Sequence, residues 1–305
     1  MSDVNAARAR AIELARGPRL LCVVGPTASG KTDLALAVGE AVGGEIVSAD
    51  SVQIYRGFDV GSGKPTAEEL ARVPHHLVDT HEPGDPVDAA EWARLAELAV
   101  EDIRARGKVP IVCGGTFFWI RALVLGLAPA PGADAAIRAR HKALVDEKGR
   151  AALHEELARV DPTSARRLHP NDTVRVSRAL EVHELSGRTM SDWHAEHGFK
   201  TSRFDAAFVA LEHDATALTE RIGARVDAWL ASGWIEEVRR LVEAGHGASR
   251  AMGSVGYAEV RAHVEGELAR DELRDAIVRT TRVFARRQRT WLNGAPHPDA
   301  RVEWL

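Results

Sequence analysis

The segment Gly25-Pro26-Thr27-Ala28-Ser29-Gly30-Lys31-Thr32 spaces two glycines, a lysine and a hydroxyl as a phosphate-binding loop requires. Its glycines let the backbone curl so that N–H groups point inward, and the helix that follows offers its positive end. Lys31 adds a point charge, and the Thr32 hydroxyl can hold Mg²⁺. A purely structural glycine turn is the bland alternative. The context argues against it, because the apolar run Leu20-Leu21-Cys22-Val23-Val24 leads in and a helical pattern leads out. The loop says that a polyphosphate is gripped, and leaves open which one.

Two further clusters have chemical potential. Asp50-Ser51-Val52-Gln53-Ile54-Tyr55 offers a carboxylate, an amide and a phenol in one short piece, equipment suited to the edge of a base. An ordinary polar loop carries the same residues. Gly114-Gly115-Thr116 offers a hydroxyl and backbone N–H groups with room for close approach, or a simple turn. ATP or GTP is the usual ligand of such a phosphate loop, yet the run 109–113 ends in Gly-Gly-Thr where phosphoryl-transfer enzymes usually carry an Asp for Mg²⁺. Asp50 is then the conspicuous acid, either behind a metal or as a general base.

The elements that must position these residues are legible from periodicity. Asp33–Val42 and Glu91–Arg106 have helical spacing, whereas Leu20–Val24, Glu45–Ala49 and Val109–Cys113 read as strands. Strand, helix, strand, helix, strand implies a parallel sheet with right-handed crossovers, so residues 25–32, 50–53 and 114–116 all open at one sheet edge. Ala128-Pro129-Ala130-Pro131-Gly132 breaks the pattern. From Ala133 to about His197 the chain reads helical, with starts or turns at Asp161-Pro162 and His169-Pro170-Asn171-Asp172. Phe208-Val209-Ala210-Leu211 then looks like a returning strand, and helices follow near 216–231, 234–244 and 271–291. The expected fold is an α/β core with a phosphate-loop parallel sheet, built from 1–129 and 204–305, with a helical insertion over 130–203.

With 305 residues, 45% of them hydrophobic and 28% charged, the chain can bury a substantial core. No stretch has the apolar length of a membrane span, and a cytoplasmic monomer with no membrane partner is expected. Cys22 and Cys113 fall in apolar runs and read as core, not as disulfide partners or ligands. His75-His76 and His194-x-x-His197 lack a metal-binding set and read as turn and surface residues. Trp119 is a candidate wall for a pocket near Thr116, while Trp229, Trp234 and Trp291 read as helix packing. The net charge of −4 gives no global sign of a nucleic-acid partner, but Arg274, Arg279, Arg282, Arg286, Arg287 and Arg289 share a segment with one acid, Asp275. Such a run is either a positive field or a solvated face paired elsewhere.

Gly25–Thr32, Ser48-Ala49-Asp50-Ser51-Val52-Gln53-Ile54-Tyr55-Arg56-Gly57-Phe58-Asp59-Val60-Gly61 and Pro74-His75-His76-Leu77-Val78-Asp79 together resemble the tRNA dimethylallyltransferase family. The later motifs agree in order: Gly114-Gly115-Thr116, His169 to Arg178 and Ala179–Val182, Arg221 to Asp227, Val255-Gly256-Tyr257, and Arg286-Arg287-Gln288-x-Thr290-Trp291-Leu292. The resemblance runs from about residue 20 to 293. It implies transfer of a dimethylallyl group from its diphosphate to N6 of adenosine 37 in tRNA, with Mg²⁺ as cofactor.

By position, the resemblance implies that Asp50 takes the amine proton and Thr116 bonds the bridging oxygen of the leaving diphosphate. Lys31, Arg225 and the loop Gly25, Pro26, Thr27, Ala28, Ser29, Gly30 and Thr32 would hold that diphosphate, with the metal at Thr32. Contacts to tRNA would come from Asp50, Ser51, Val52, Gln53 and Thr116, and from Arg138, Val174, Arg175, Val176, Ser177 and Arg178. Val52 and Val174 stand where arginine and glutamine are commoner in the family. The insertion would clamp the anticodon loop, and the arginine run would meet phosphates. An ATP-dependent small-molecule kinase, with 133–197 as its lid, is the rival reading; a non-catalytic RNA-binding module is a third.

Overall fold

Short apolar runs buried on both sides need helices above and below them, and the chain supplies both layers. The computed structural model describes residues 2–198, 202–294 and 302–305. Its strands are β1 (Leu20–Val24), β2 (Gly44–Ala49), β3 (His75–His76), β4 (Val109–Gly114), β5 (Ala206–Ala210) and β6 (Val302–Trp304). They form one all-parallel sheet in the order β3-β2-β4-β1-β5-β6. β1 therefore lies between β4 and β5, with Val24 level with Gly114 on one side and Ala210 on the other. Connections leave β1 and β4 toward opposite edges, so the crevice at their C-terminal ends is where such a sheet binds ligands.

The helices of this part of the chain are α1 (Ser2–Arg16), α2 (Lys31–Val42), α3 (Ala67–Arg72), α4 (Ala89–Ala105) and α5 (Phe117–Leu125). Leu21, Val23, Ile46, Ile111 and Val209 alternate along their strands and meet Ala11 and Leu14 of α1 and Leu34 and Val38 of α2. The other side is served by α4, whose Trp92, Ala96, Val100 and Ile103 recur at helical spacing and are fully buried. Trp92 also donates its indole N–H to the Ser48 carbonyl at 3.0 Å, which ties α4 to the strand that leads into Asp50. Truncating a tryptophan buried in this way costs about 3–5 kcal/mol.

Two compact units divide the chain: Met1–Leu125 with Ser202–Leu305, and Gly126–Thr201. The second consists of α6 (Ala135–Lys148), α7 (Arg150–Val160), α8 (Pro162–Arg167), α9 (Thr173–Ser186) and α10 (Met190–His197) around Leu153, Leu157, Val176 and Leu180. Asp161 caps α8 by accepting the Ser164 N–H at 2.9 Å, and Asp172 caps α9 by accepting that of Arg175 at 3.3 Å. Both starts are where the sequence places them. The first unit resumes with α11 (Ala215–Ala231), α12 (Trp234–Glu243), α13 (Tyr257–Val264) and α14 (Arg270–Asn293).

Three features differ from the expectations. The N-terminal segment, to which the sequence reading assigns no element, is helix α1. His75 and His76 form the edge strand β3 in place of a turn. His76 Nε2 lies 2.7 Å from the buried Glu45 carboxylate, which the Arg106 guanidinium at the end of α4 holds down at about 2 against the cost of burial. Trp119 is not among the residues that line the cleft at Thr116: it is buried and stacks on Trp92 at 5.4 Å between ring centres. The strand-end register pulls it there, because α5 starts at Phe117 and turns its third residue into the core under α4.

Candidate active site

A cleft of about 520 Å³ opens within the first unit at the C-terminal ends of β1, β2 and β4. It is lined on one side by Thr27, Lys31, Thr32, Asp50 and Thr116, and on the other by Arg225 and Trp229 of α11 and by residues of α14. The three strand ends expected to share an edge therefore share one cavity.

The loop after β1 is held from outside as well as by its own turns. Gly30, in the left-handed region at φ 85°, starts α2, and Ala28 takes φ 65° without being glycine. That strained position is braced: Arg221 donates from Nε to the Ala28 carbonyl at 2.8 Å, and His213 Nε2 lies 2.7 Å from the Ser29 carbonyl. Arg225 donates to the Thr27 hydroxyl. Lys31 reaches back toward the Pro26 carbonyl at 3.5 Å, a long contact for an ammonium.

Lys31 and Arg225 make the cleft an anion site. Burial lowers both pKa values, that of Arg225 to about 10, and the Asp50 charge only partly opposes this. The Arg225 guanidinium lies over the Trp229 ring at 4.5 Å, its Nε is buried without a partner, and no carboxylate among the described residues lies within 4.0 Å of it. Two cations held in a cavity with only the Asp50 charge to offset them, and with no ion pair among the described residues, are short of negative charge that a ligand can supply. Cys113 beside them is buried, and burial pushes its thiol up to about 11, so it offers no nucleophile; Cys22 is buried and free as well.

Asp50 and Thr116 are set by β2, β4 and each other's loops. Asp50 Oδ1 accepts the N–H groups of Val52 at 2.8 Å and Gln53 at 3.3 Å, leaving Oδ2 without a protein partner among the described residues. Thr116 donates its backbone N–H to the Ala49 carbonyl at 3.1 Å, and its hydroxyl accepts the Ser51 N–H at 3.2 Å. The hydroxyl proton is thereby left to point elsewhere. β2 and β4 approach so closely at this edge that a Cβ on Gly114 would stand 2.2 Å from the Ala49 oxygen, which is why the segment begins with glycine.

Some expected ligand contacts are already engaged within the protein. Gln53 donates both amide hydrogens, to the Ser62 carbonyl at 3.1 Å and the Gly63 carbonyl at 2.9 Å, and accepts from the Ser48 hydroxyl at 3.1 Å. Its amide organises the loop around Asp50 and is not free to read a base edge. Ser51 and Val52 do line the cleft.

In the helical unit, Val176 is fully buried, so its side chain is not available to RNA. Ser177 bonds His141 at 2.9 Å. Arg138 and Arg178 both donate to the buried Glu181, at 2.9 and 2.7 Å; burial alone would raise that carboxyl, and the two guanidinium groups outweigh it. Arg175 pairs with Asp172 and stays exposed, and Val174 is 80% exposed. Of these six residues, Val174 and Arg175 are the ones most open to solvent.

Periodicity missed Trp229 and Gln288 as site residues. Trp229, read as helix packing, is half-buried and lines the cleft. α14 presents Ile277, Thr281, Phe284 and Gln288 to the cleft, at spacings of four, three and four. Arg279, Arg282 and Arg286, also at three and four, are exposed on the opposite side of the same helix. At the two ends of the run, Arg274 pairs with Asp227 at 2.6 Å and Arg289 donates to the His213 carbonyl at 3.3 Å.

Among the described residues no cluster of three or more histidine, cysteine or acidic side chains could hold a metal, and no helix is long and apolar enough to cross a membrane. Thr32 lines the cleft, and a threonine hydroxyl is the kind of oxygen ligand that could hold a hard cation arriving with its phosphate.

Comparison with known proteins places this geometry in context. A family model described as IPP transferase matches residues 53–295. The tRNA dimethylallyltransferase of Sorangium cellulosum is 63% identical over 273 residues, covering 90% of this chain and 87% of that protein. The tRNA dimethylallyltransferase of Anaeromyxobacter dehalogenans is 51% identical, covering 90% and 91%. Among solved structures, the full-length tRNA isopentenylpyrophosphate transferase of Bacillus halodurans is 33% identical, with a TM-score of 0.68 and coverage of 95% and 90%. A eukaryotic dimethylallyltransferase acting on tRNA shares the fold at 24% identity, with a TM-score of 0.75 and coverage of 90% and 70%.

Proposed function

The chain belongs to the IPP transferase family, and from that premise we infer that it is a tRNA dimethylallyltransferase. It transfers a dimethylallyl group from dimethylallyl diphosphate to N6 of adenosine 37 in tRNA and releases diphosphate. The observation that carries the assignment of roles is that Asp50 Oδ2 and the Thr116 hydroxyl proton, neither with a protein partner among the described residues, share one cleft with Lys31 and Arg225.

In this reading the diphosphate sits against the backbone N–H groups of the Gly25–Thr32 loop, with Lys31 and Arg225 supplying positive charge. The N6 lone pair forms the new bond to C1 of the prenyl group as the C1–O bond breaks, and the electron pair leaves on the diphosphate. Thr116 donates to the bridging oxygen, where charge develops. Asp50 accepts the proton from N6 through Oδ2 while Oδ1 stays bound to the loop N–H groups, so the base need not move as it works. Trp229, Ile277 and Phe284 form an apolar wall that suits a five-carbon chain and keeps water from C1. Bound Mg²⁺ would neutralise part of the diphosphate charge, and Thr32 is the residue to hold it.

A flipped-out adenosine reaches such a cleft from a single-stranded loop. Ser51 and Val52 line that cleft, and Val174 with Arg175 offers the exposed contact on the helical unit. Arg279, Arg282 and Arg286 lie on the face of α14 turned away from the cleft, so the phosphates they meet belong to nucleotides other than the one being modified. Incubation of the purified protein with Mg²⁺, unmodified tRNA and radiolabelled dimethylallyl diphosphate tests the assignment. Label at adenosine 37 without ATP hydrolysis is expected; substrate-stimulated ATP consumption without label would support the kinase reading in its place.

A further inference from the structure

The side chain of Gln288 lies between two of the strand ends that build the cleft. Its Oε1 accepts the backbone N–H of Thr27 at 2.9 Å, and its Nε2 donates to the Gly115 carbonyl at 3.0 Å. The assignment of the amide is forced by its partners, because a backbone N–H only donates and a carbonyl only accepts. Gln288 is buried, 261 residues from Thr27 and 173 from Gly115, so the contact is one the fold has to build. A carboxylate would lose the donor and an ammonium the acceptor.

Thr27 belongs to the loop that cradles the diphosphate, and its hydroxyl receives Arg225. Gly115 precedes Thr116, whose hydroxyl stands by the bond that breaks. The distance between cradle and hydroxyl is therefore set by one side chain from α14, in addition to the pairing of β1 with β4, which ends at Val24 and Gly114. The arrangement also explains residue 115. A Cβ there would stand 2.5 Å from Gln288 Nε2, so glycine is what lets the amide into the gap.

We propose that Gln288 is a positioning residue for prenyl transfer: it fixes the diphosphate loop against the Thr116 strand end, and Gly115 is glycine to admit it. The proposal rests on the transferase reading above. Gln288 Oε1 and Nε2 are each engaged by the backbone, at Thr27 and Gly115. The effect of this residue falls on the alignment of the leaving diphosphate with its hydrogen-bond donor, which matters most in the transition state.

The test uses the full chain and compares wild type with Gln288→Ala, Gln288→Met, Gly115→Ala and the Q288A/G115A double variant. The readouts are kcat, the KM for dimethylallyl diphosphate and the melting temperature. Gln288→Ala is expected to lower kcat about 10- to 100-fold with KM moved less than about threefold, the pattern of lost alignment. Gln288→Met keeps the volume and loses both hydrogen bonds, so it reproduces the kcat loss even if the alanine variant folds poorly. Because Gly115→Ala displaces the same amide, the double variant is expected to be no slower than Gly115→Ala alone. Single variants within twofold of wild-type kcat, or losses that multiply in the double variant, overturn the proposal while leaving the transferase reading standing. A wild-type chain that transfers no prenyl group defeats that reading, and this proposal with it.

Discussion

The backbone N–H of Ser51 donates to the hydroxyl of Thr116 at 3.2 Å, joining the loop after β2 to the turn after β4. The bond occupies one lone pair and fixes the hydroxyl oxygen, so the Thr116 proton is the group left to meet a ligand. A residue with a hydroxyl is needed for both halves of that arrangement.

Thr116→Val, which keeps the shape and loses both the donor and the acceptor, is expected to lower kcat about 100- to 1000-fold, the range for removing one donor to a developing charge. Thr116→Ser should recover most of the rate. Single-turnover transfer of labelled prenyl group measures both. A valine variant with wild-type kcat would remove Thr116 from the reaction.

In the proposed reaction Asp50 serves two purposes through two oxygens, and a well-chosen substitution separates them. Asp50→Asn keeps an oxygen to accept the Val52 and Gln53 N–H groups and loses the base. We expect kcat to fall about 10²- to 10⁴-fold with diphosphate binding by calorimetry close to wild type. Asp50→Ala loses the loop bonds as well and should also raise the KM for tRNA. A large loss of diphosphate affinity in the asparagine variant would argue that Asp50 acts on the anion and is not the base.

How much of this was legible in the sequence depends on the range of the signal. The loop 25–32, the acid at 50 and the Gly-Gly-Thr at 114–116 each announce themselves by local composition, and the alternation of strand and helix brings them to one edge. The all-parallel sheet and the helix starts at Asp161 and Asp172 follow from the same local rules. The two-residue β3 and the three-residue β6 carry no periodicity long enough to read, and they exist because β2 and β5 leave edges to be paired. Nothing local marks the partners of Gln53 and Gln288. One is turned inward by Ser48 and the 62–63 carbonyls, the other by partners more than 170 residues away, and only the folded chain shows that both amides are committed.

Arg225 places function and stability in opposition. Its pKa falls to about 10, chiefly through burial, so the folded protein binds that proton less tightly than the unfolded chain does. The sign follows from linkage: between the folded value of about 10 and the higher unfolded value the unfolded state holds the extra proton, so raising pH through that window favours the fold. At neutral pH the same charge is a cost. Arg225→Met should therefore raise the melting temperature of the ligand-free protein by about 2–4 °C, as about 1 kcal/mol would do, while weakening diphosphate binding at least about 10-fold. Scanning calorimetry with and without diphosphate measures both. A variant less stable than wild type would show that the Trp229 and Thr27 contacts outweigh the burial cost.

The arginines of α14 divide by the company they keep. Arg274 is committed to Asp227, and Arg289 to the His213 carbonyl. Arg279, Arg282 and Arg286 are exposed and have no ion pair within 4.0 Å among the described residues, on the side of the helix away from the cleft. Contacts with phosphates release counterions, so each contributes to the salt dependence of binding and little to the chemistry. The triple variant R279A/R282A/R286A is expected to weaken tRNA binding and to flatten the slope of log affinity against log salt by about 1–3 units. The KM for dimethylallyl diphosphate should stay within about twofold, because the cleft face of α14 is untouched. An unchanged salt slope would place the tRNA elsewhere on the surface and leave this stripe a solvated face. A lost prenyl diphosphate affinity would mean that the stripe acts through the helix on Gln288 and the loop it holds.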